Sequence, residues 1–144
     1  MIPIDYPSPD GFSIKEENGK AFIFDVVRKR WLRLSPEEWV RQNFLRYLIE
    51  VKGYPVSLMA VEKEIALGEL RKRCDIVVYQ NDVPWMIIEC KEMDTPLNEA
   101  VAMQVLRYNQ ALAVAYLVVT NGSYTFGWDV GRMEAMREVP NYEL

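Results

Sequence analysis

The chain has 144 residues, of which 50% are hydrophobic and 26% are charged, and this composition is typical of a soluble globular protein. A formal net charge of −4 excludes a molecule that binds polyanions over its whole surface, so a nucleic-acid site would have to be a local patch or recruit a metal ion. Histidine is absent, which removes the commonest general base and zinc ligand and leaves oxygen ligands suited to Mg²⁺ or Mn²⁺.

The N-terminal part of the chain predicts little regular structure before residue 21. Residues 1–20 contain Pro, Asp and Gly and show weak periodicity, so we expect an irregular lead-in. Residues 21–27 and 30–34 predict two short strands that form a hairpin around the basic turn Arg28-Lys29-Arg30. This turn is either a solvated hairpin tip or a phosphate contact, and the sequence leaves both interpretations open.

The first helix is predicted to begin at Ser35. Ser35-Pro36-Glu37-Glu38 has the form of a capping box, in which Ser35 is the N-cap, Pro the first helical residue and Glu38 the third. Apolar residues then recur at helical spacing to about residue 51. The helix is followed by a predicted strand at residues 56–65 and by a second strand that begins near Leu70.

Two apolar runs in the middle of the chain carry ionisable residues at their ends. The runs flank the turn-like residues 80–84 and predict a β-hairpin. The first run opens with Asp75 and the second closes with Glu89 and Lys91, although a charge in a buried strand is costly unless it is paired, metal-bound or hydrated. A three-residue loop would pair residue 80 with residue 84 and place Asp75 opposite Glu89, and Lys91 would share the face of Glu89.

This arrangement predicts a metal site. Two carboxylates that face each other across a ladder repel, and a divalent cation between them removes the repulsion. The backbone carbonyl of Cys90 lies between Glu89 and Lys91 and is a further oxygen ligand for such a cation. Lys91 would orient a water and stabilise charge that develops on a phosphate, and a metal-bound water needs no histidine to become a nucleophile. The alternative is an exposed hairpin end in which Glu89 and Lys91 form only a surface ion pair.

The second half of the chain predicts a helix and two further strands. The helix begins at Thr95-Pro96, a continuous apolar run at 113–120 is typical of a strand covered on both faces, and Asn121-Gly122 is a hairpin turn before a partner strand at 123–128. The tail from Gly131 is predicted to be a short helix or a frayed end. Together these elements predict one mixed α/β domain: residues 1–34 are the lead-in and hairpin, 35–129 the core, and 130–144 the tail.

Several motifs resemble the PD-(D/E)xK nuclease superfamily. Asp75 followed by Ile87-Ile88-Glu89-Cys90-Lys91 matches the Asp…Glu-x-Lys signature, although Cys74 stands where the superfamily usually has Pro. Gln104-Val105-Leu106-Arg107-Tyr108 matches the Gln-x-x-x-Tyr motif of the helicase-linked and type I restriction branch. Residues 35–129 resemble the N-terminal domain of type I restriction enzyme R subunits, most clearly in segments 36–42, 71–79 and 118–122.

The resemblance implies a fold and further site residues. The fold would be a restriction-endonuclease-like αβββαβ core of the mixed α/β (α+β) class, with a central mixed sheet flanked by helices and an extra N-terminal hairpin. Gln104 and Tyr108, four residues apart on one helix face, would look onto the metal site and the DNA strand and join the catalytic residues. Such nucleases also often carry an acidic residue on the first helix. Glu38 is the candidate, reaching the metal directly or through water, and its alternative role is that of a capping residue.

Basic residues near these motifs are candidates for phosphate contacts. Arg71 and Arg73 lead into Asp75, and strand alternation lets Arg73 share the face of Asp75. The alternative for both is a solvated strand end. Arg107 is a further candidate within the helix motif, and Tyr108 would help to hold the DNA strand.

Two functional hypotheses follow from the sequence. The first is a DNA endonuclease that depends on Mg²⁺ or Mn²⁺ and hydrolyses phosphodiester bonds; the second is a non-catalytic nucleic-acid-binding or assembly module on the same fold. The presence of Asp75, Glu89 and Lys91 together favours the first hypothesis. A third interpretation, a scaffold without a nucleic-acid role, predicts that Glu89 and Lys91 do not converge with Asp75. The type I enzymes join this domain to a translocase, but the sequence has no Gly-x-x-x-x-Gly-Lys-Ser/Thr motif, so we expect either a free-standing relative or a chain that needs a separate translocase or specificity partner.

The cellular setting is predicted from absences in the sequence. No apolar segment approaches the roughly 20 residues of a membrane helix and no signal peptide opens the chain, so we expect a cytoplasmic protein with no membrane partner. Cys74 and Cys90 lie inside apolar runs and are expected to be buried thiols in a reducing compartment. A homodimer is expected because cutting two strands with one site per chain is easier in pairs.

Overall fold

The computed structural model describes residues 1–67, 69–109 and 112–142, and within them the chain forms two helices and two sheets. The three-stranded sheet has the order β1-β2-β3, and the six-stranded sheet has the order β4-β5-β6-β7-β8-β9. The helices are α1 (Pro36–Arg46) and α2 (Glu99–Tyr108), and the strands are β1 (Ile14–Glu17), β2 (Lys20–Asp25), β3 (Arg30–Arg33), β4 (Met59–Leu67), β5 (Leu70–Gln80), β6 (Val83–Cys90), β7 (Tyr116–Thr120), β8 (Thr125–Asp129) and β9 (Glu134–Ala135).

The larger sheet is mixed and lies between the two helices, which confirms the predicted fold. Strands β6 and β7 are parallel and are joined through α2, while the other neighbours in the sheet are antiparallel. Phe44 and Leu45 of α1 pack with Ile76 and Ile88 on one face of the sheet. On the other face, residues of α2 pack with the alternate side chains of the central strands, namely Ala102 and Leu106 with Val77, Ile87, Leu117 and Val119. The central strands are therefore covered on both faces.

Helix α1 begins where the capping signal predicts. The Ser35 side-chain oxygen accepts a hydrogen bond from the backbone N–H of Glu38 at 3.0 Å, and Pro36 occupies the first helical position. The helix continues beyond Arg46 as a π-helical turn over Tyr47–Val51. This start places Glu37 and Glu38 in the first turn of the helix.

The prediction of an irregular lead-in over residues 1–20 was wrong at β1. Ile14–Glu17 pairs with β2 in an antiparallel register and converts the predicted hairpin into a three-stranded sheet. Its sequence, Ile-Lys-Glu-Glu, lacks the apolar residues of a buried strand. In the structure, three of its four residues are exposed and the fourth is only partly buried. An edge strand of this kind carries no hydrophobic period from which it could be recognised.

The β5–β6 hairpin closes with a shorter turn than the sequence predicted. Gln80 pairs with Val83, not with Pro84, and the turn consists of Asn81 and Asp82, whose φ angles of 51° and 64° suit a two-residue hairpin turn. A β-bulge at Trp85 then shifts the register by one residue, so that Ile76 pairs with Ile88. This is the last pair at this end of the ladder, and Asp75 and Glu89 are the next residues on the two strands.

The alternation of side chains between the two faces of the sheet is broken within β4 and β5. Val61 and Ile76 belong to the α1 face of the sheet, whereas Ile65 and Cys74 belong to the α2 face. Glu62 lies at the break in β4 with a φ angle of 51°, an unusual conformation for a non-glycine residue. Asp75 lies directly opposite in β5, at the corresponding break.

The C-terminal half follows the predicted order with shifted boundaries. Helix α2 begins at Glu99, after the N-cap Asn98, and not at Thr95-Pro96. The tail was predicted to be a short helix or a frayed end, but Glu134–Ala135 pairs with β8 as the edge strand of the sheet. Among the described residues, the structure has no helix that is both long and apolar enough to span a membrane.

Candidate active site

Asp75 is held at the point where the β5–β6 ladder ends. Its Oδ2 accepts a hydrogen bond from the backbone N–H of Cys90 at 2.7 Å, in a position where a backbone carbonyl would otherwise continue the ladder. Its Oδ1 accepts a hydrogen bond from Nη1 of Arg41 at 2.8 Å. The side chain of Asp75 is 20% exposed, so the carboxylate is fixed on two sides and open to solvent on a third.

Glu89 and Lys91 lie together at the end of β6. The Nζ of Lys91 is 3.4 Å from Oε2 of Glu89, and the Nζ of Lys72 is 4.0 Å from Oε1. The backbone N–H of Lys91 donates to the carbonyl of Thr120 at 2.8 Å, which ties the end of β6 to β7. With 28% and 43% of their side chains exposed, Glu89 and Lys91 are both accessible to a ligand.

Asp75 and Glu89 do not share one face of the sheet, contrary to the prediction from the ladder register. Glu89 lies between Ile88 and Cys90, which both pack on the α1 face, and it therefore points to the α2 face. Asp75 turns toward α1 because side-chain alternation is broken at that position of β5. The two carboxylates thus flank the Cys90 backbone from different sides.

Arg41 links Asp75 to the first helix. Its guanidinium, of which 5% is exposed, also donates to Glu38 at 3.0 and 3.1 Å and to Glu62 at 3.3 Å. Burial lowers the pKa of Arg41, but the hydrogen bonds to Glu38 and the charges of Glu38 and Asp75 outweigh burial and raise it. Arg41 is thus a permanent buried cation that fixes Asp75.

Glu38 is saturated by protein partners. Besides Arg41, its carboxylate accepts hydrogen bonds from Nη2 of Arg28 at 2.9 and 3.0 Å and from Gln42 at 3.1 Å. Burial raises the pKa of Glu38, but the hydrogen bonds from Arg41 and Gln42 outweigh it, and the pKa is lowered. Glu38 is 6% exposed. The backbone N–H of Glu38 donates to the Ser35 cap, while its carboxylate is taken up by Arg28, Arg41 and Gln42 and anchors Arg41.

The N-terminal sheet contributes to this buried network through the β2–β3 turn. Asp25 is fully buried and accepts hydrogen bonds from Nε of Arg28 at 2.7 Å and from Gln42 at 2.9 Å. Arg28 in turn binds Glu38, so a chain of charges runs from the N-terminal sheet through α1 to Asp75. The alternative of a solvated tip is wrong for Arg28, which is 12% exposed.

Glu37 is a second acid of the first helical turn and lies closer to the open part of the site. Its carboxylate is 3.7 Å from Arg41 and is 52% exposed. Burial and the negative charge of Asp75 raise the pKa of Glu37, while the charges of Arg41 and Lys91 act in the opposite direction. Glu37 therefore faces both Asp75 and Lys91.

The other predicted residues lie around this centre with less contact to it. Gln104 and Arg107 are exposed on α2 and line an open groove, and Arg107 lies 5.8 Å from the ring centre of Trp128. No hydrogen bond among the described residues joins Gln104 to Asp75, Glu89 or Lys91. The side chain of Tyr108 lies outside the described part of the structure.

The two predicted arginines of β5 are exposed and pair with acids of β4. Arg71 is 3.1 Å from Glu64, and Arg73 is 3.1 Å from Glu62. Since Glu62 also contacts Arg41, Arg73 lies on the side of Asp75, as alternation predicted. Arg73 is thus the nearer of the two to the candidate site.

Comparison with protein families assigns the chain. A family model described as type I restriction enzyme R protein N terminus matches residues 36–140. The chain belongs to this family. Comparisons with curated proteins and with solved structures found no match. The matched part of this restriction enzyme R protein domain includes every residue that the sequence predicted for the site, whereas the N-terminal sheet precedes it.

Sequence reasoning missed the residues that hold the restriction-family site in place. Arg41 and Gln42 interrupt the apolar stripe of α1 at positions where a buried helix face is expected, and this was the available signal. Glu38 and Arg41 are three residues apart and therefore meet on the helix surface. Asp25, Arg28 and Glu62 join them through contacts between distant segments, for which the sequence contains no signal.

The donor chemistry of the site fits a hard divalent cation. Asp75 and Glu89 supply carboxylate oxygens on either side of Cys90, and Asp75, which accepts hydrogen bonds from Arg41 and from the Cys90 N–H, remains partly exposed. Burial raises the pKa of the Cys74 thiol to about 11 and that of Cys90 well above its ordinary value, so neither offers a thiolate to a softer metal. Among the described residues, no group of three or more Cys, Asp and Glu side chains is arranged around one metal position.

Proposed function

We propose that this chain is a divalent-metal-dependent DNA endonuclease domain that hydrolyses phosphodiester bonds at Asp75, Glu89 and Lys91. The observation that carries the proposal is the end of β6, where Lys91 lies 3.4 Å from Glu89 and the intervening Cys90 is bound by Asp75. Membership of a restriction enzyme R protein family supports DNA as the substrate.

Asp75, Glu89 and the backbone carbonyl of Cys90 would hold Mg²⁺ or Mn²⁺. When bound, such a cation supplies charge neutralisation for the scissile phosphate and lowers the pKa of a water ligand. Arg41 and the Cys90 N–H fix the Asp75 carboxylate in advance, which reduces the cost of ordering it when a ligand binds. The chain would thus contribute an Asp75 carboxylate that is already ordered, with Glu89 on the other side of the Cys90 backbone.

Lys91 would act on the attacking water and on the phosphate. Its ammonium group is 43% exposed and is held by Glu89, so it can donate hydrogen bonds to a water and to a phosphate oxygen without leaving the site. Donors placed where negative charge develops stabilise the transition state. Hydrolysis then adds the water oxygen to phosphorus and breaks the bond to the leaving sugar oxygen.

Glu37 is better placed than Glu38 to serve as the acid of the first helix. Both oxygens of Glu38 are occupied by Arg28 and Arg41, whereas Glu37 is half exposed beside Arg41. We expect Glu38 to support the site through Arg41, and Glu37 to approach the metal through water. The Glu37→Gln variant should therefore weaken Mn²⁺ binding at unchanged stability, whereas Glu38→Gln should lower stability.

The remaining predicted residues would contact DNA or partners. Arg73 would reach a phosphate near Asp75, with Arg71 further along β5. Gln104, Tyr108 and Arg107 would guide the strand along α2, where Gln104 and Arg107 line an open groove. A separate translocase or specificity subunit, or a second copy of the chain, would supply what a single site lacks for cutting two strands.

Cleavage assays test the proposal directly. Wild-type protein should nick or cut at least one of single-stranded, double-stranded or branched DNA in Mg²⁺ or Mn²⁺, and EDTA should stop it. Asp75→Asn and Glu89→Gln should each reduce the rate by about 100-fold or more, because each removes a charge from the metal site. If all three DNA forms remain intact with both metals, the nuclease proposal is lost.

A second candidate function is a non-catalytic nucleic-acid-binding or assembly module. One observation favours it: Arg41 already neutralises Asp75, and Lys72 and Lys91 neutralise Glu89. Calorimetric titration with Mn²⁺ separates the two functions. A nuclease site predicts binding by wild type and much weaker binding by Asp75→Asn, whereas the module predicts no binding by either protein.

A further inference from the structure

The charge of the chain is unevenly distributed. Residues 14–33, which contain β1, β2 and β3, carry six basic and three acidic residues and have a net charge of +3. The whole chain has a net charge of −4, so the rest carries −7. A basic segment in an acidic protein is an electrostatic signature of a polyanion site.

The strands of the N-terminal sheet present alternate residues on two faces. Ile23 and Asp25 are fully buried on the inner face, where Asp25 contacts α1. The register places the alternate residues Phe22 and Phe24 of β2 together with their cross-strand partners on the opposite, outer face, and these partners are Lys15, Arg33 and Trp31. The outer face is therefore both aromatic and basic.

Trp31 is the centre of this face. Its side chain is 40% exposed, its ring packs edge-on against Phe24 at 5.4 Å, and the Nζ of Lys15 lies 4.5 Å from its ring centre. Lys15 lies over one face of the indole and Phe24 packs edge-on against it, and the Trp31 side chain still remains accessible to solvent. A rigid, exposed indole held in this way suits stacking against a base.

The cations around Trp31 are available to a ligand. Lys29, Arg30 and Arg33 are exposed, and no salt bridge joins any of them to an acid among the residues that the structure describes. Together with Trp31 they lie within the short segment 29–33. The spacing of positive charge and a stacking ring is that of a nucleic-acid-binding surface.

The sheet adjoins the candidate active site. Arg28, next to Lys29 in the β2–β3 turn, contacts both Glu38 and Glu62, and Glu62 contacts Arg73. A nucleic-acid strand bound at Lys29 would therefore lie close to the surface that leads to Asp75. The family match begins only at residue 36, so membership of the family does not assign a role to this sheet.

We propose that the outer face of the N-terminal sheet and the adjoining β2–β3 turn bind DNA, with Trp31 stacking on an unpaired base, Arg33 contacting a phosphate beside it, and the exposed Lys29 and Arg30 contacting phosphates at the turn. The proposal rests on the function proposed above in taking DNA as the ligand, and it adds a binding surface outside the cleavage site. This surface would retain the DNA substrate while Asp75, Glu89 and Lys91 act on the substrate.

Binding is measured by fluorescence anisotropy with labelled single-stranded and duplex oligonucleotides in EDTA, so that no cleavage occurs. For Lys29→Ala/Arg30→Ala, we expect weaker binding and a slope of log K against log salt that is less steep by about 2 for duplex DNA. The control Arg132→Ala/Arg137→Ala removes two exposed cations outside the sheet and has the same net charge. It should bind as wild type does.

The stacking role is tested separately. Trp31→Ala should weaken binding of single-stranded DNA by at least about fivefold, with a smaller effect on duplex DNA. Tyr124→Ala removes an aromatic side chain that is 49% exposed elsewhere and should leave binding unchanged. Circular dichroism shows whether each variant is folded. If Trp31→Ala does not fold, Lys29→Ala/Arg30→Ala still tests the surface.

The outcomes distinguish this inference from the nuclease proposal. If the sheet variants lose affinity but wild type cleaves no DNA, the binding surface stands and the nuclease proposal fails. If wild type cleaves DNA with Mg²⁺ and the sheet variants keep the wild-type affinity and KM, the surface is refuted while the nuclease stands. Absence of DNA binding by wild type also refutes the surface and leaves an acidic protein as the class of partner.

Discussion

Replacing Arg41 by Met tests whether the buried charge network holds the candidate site together. Met retains much of the side-chain volume but removes a guanidinium that is 5% exposed and that binds Asp75, Glu38 and Glu62. Removing one partner of a buried ion pair typically costs about 3–5 kcal/mol, because the remaining charges stay buried without compensation.

The structure favours the lower end of that range. Glu38 keeps Arg28 and Gln42 as partners, and Asp75 keeps the Cys90 N–H and is 20% exposed. We therefore expect a loss of about 3 kcal/mol in the free energy of unfolding. With a urea m-value of about 2 kcal/mol/M, the unfolding midpoint should fall by about 1.5 M.

Urea unfolding followed by circular dichroism measures this effect. The control is Arg71→Met, since Arg71 pairs with Glu64 on the surface, where both side chains are more than half exposed, and its loss should cost at most about 1 kcal/mol. In a double-mutant cycle, Asp75→Asn should be coupled to Arg41→Met by about 1–3 kcal/mol. A loss as small as that of Arg71→Met, or strict additivity in the cycle, would refute the reasoning.

Three further predictions concern titration, the hairpin turn and the thiols. The folded-state pKa of Glu38 lies below its ordinary value of 4.5, so the unfolded chain binds more protons than the folded chain. The ionised Glu38 therefore stabilises the fold fully above about pH 4.5, and this contribution is lost as the pH falls through the folded-state pKa. Acid unfolding curves of Glu38→Gln should accordingly depend less on pH than those of wild type. Asp82→Gly should raise the free energy of unfolding by up to about 1 kcal/mol in urea titrations, because glycine adopts the φ angle of 64° without strain, and unchanged or lower stability would contradict this turn geometry. Cys74 and Cys90 should react slowly with a thiol reagent at pH 8 in the folded protein and rapidly in urea, since burial raises the pKa of both thiols; rapid reaction of the native protein would show that they are not buried.

The fold could be predicted from the sequence wherever one local pattern determined an element. Ser35-Pro36 marked the start of α1, and the apolar strands and Asn121-Gly122 gave the order of the mixed sheet. Strand β1 was missed because its exposed polar residues have no hydrophobic period. The turn at Asn81 and Asp82 was predicted to be one residue longer than it is. The bulge at Trp85 compensates for the shorter turn, so the residues beyond the bulge pair as they would after a three-residue loop.

The candidate site residues were easier to recognise in the sequence than the residues that support them. Asp75, Glu89 and Lys91 stand out in the sequence because they are charges at the ends of apolar strands. The prediction for the side of the sheet on which Asp75 lies was wrong, because that side depends on the break in strand alternation at Glu62. Glutamate does not indicate the positive φ angle that this residue adopts. Arg28 and Arg41 meet at Glu38 only after the N-terminal sheet docks on α1, so their partnership is a property of the tertiary structure.

The central claim is that Lys91 takes part in metal-dependent hydrolysis of DNA, and a comparison of two lysines tests it most directly. Lys91 and Lys72 both approach Glu89, at 3.4 and 4.0 Å, but only Lys91 follows it on β6. The measurement is the rate of DNA cleavage in saturating Mg²⁺ by wild type, Lys91→Ala and Lys72→Ala. We predict that Lys91→Ala is at least about 100-fold slower than wild type, while Lys72→Ala stays within a few-fold. Equal rates for the two variants, or cleavage by Lys91→Ala at the wild-type rate, would contradict the claim.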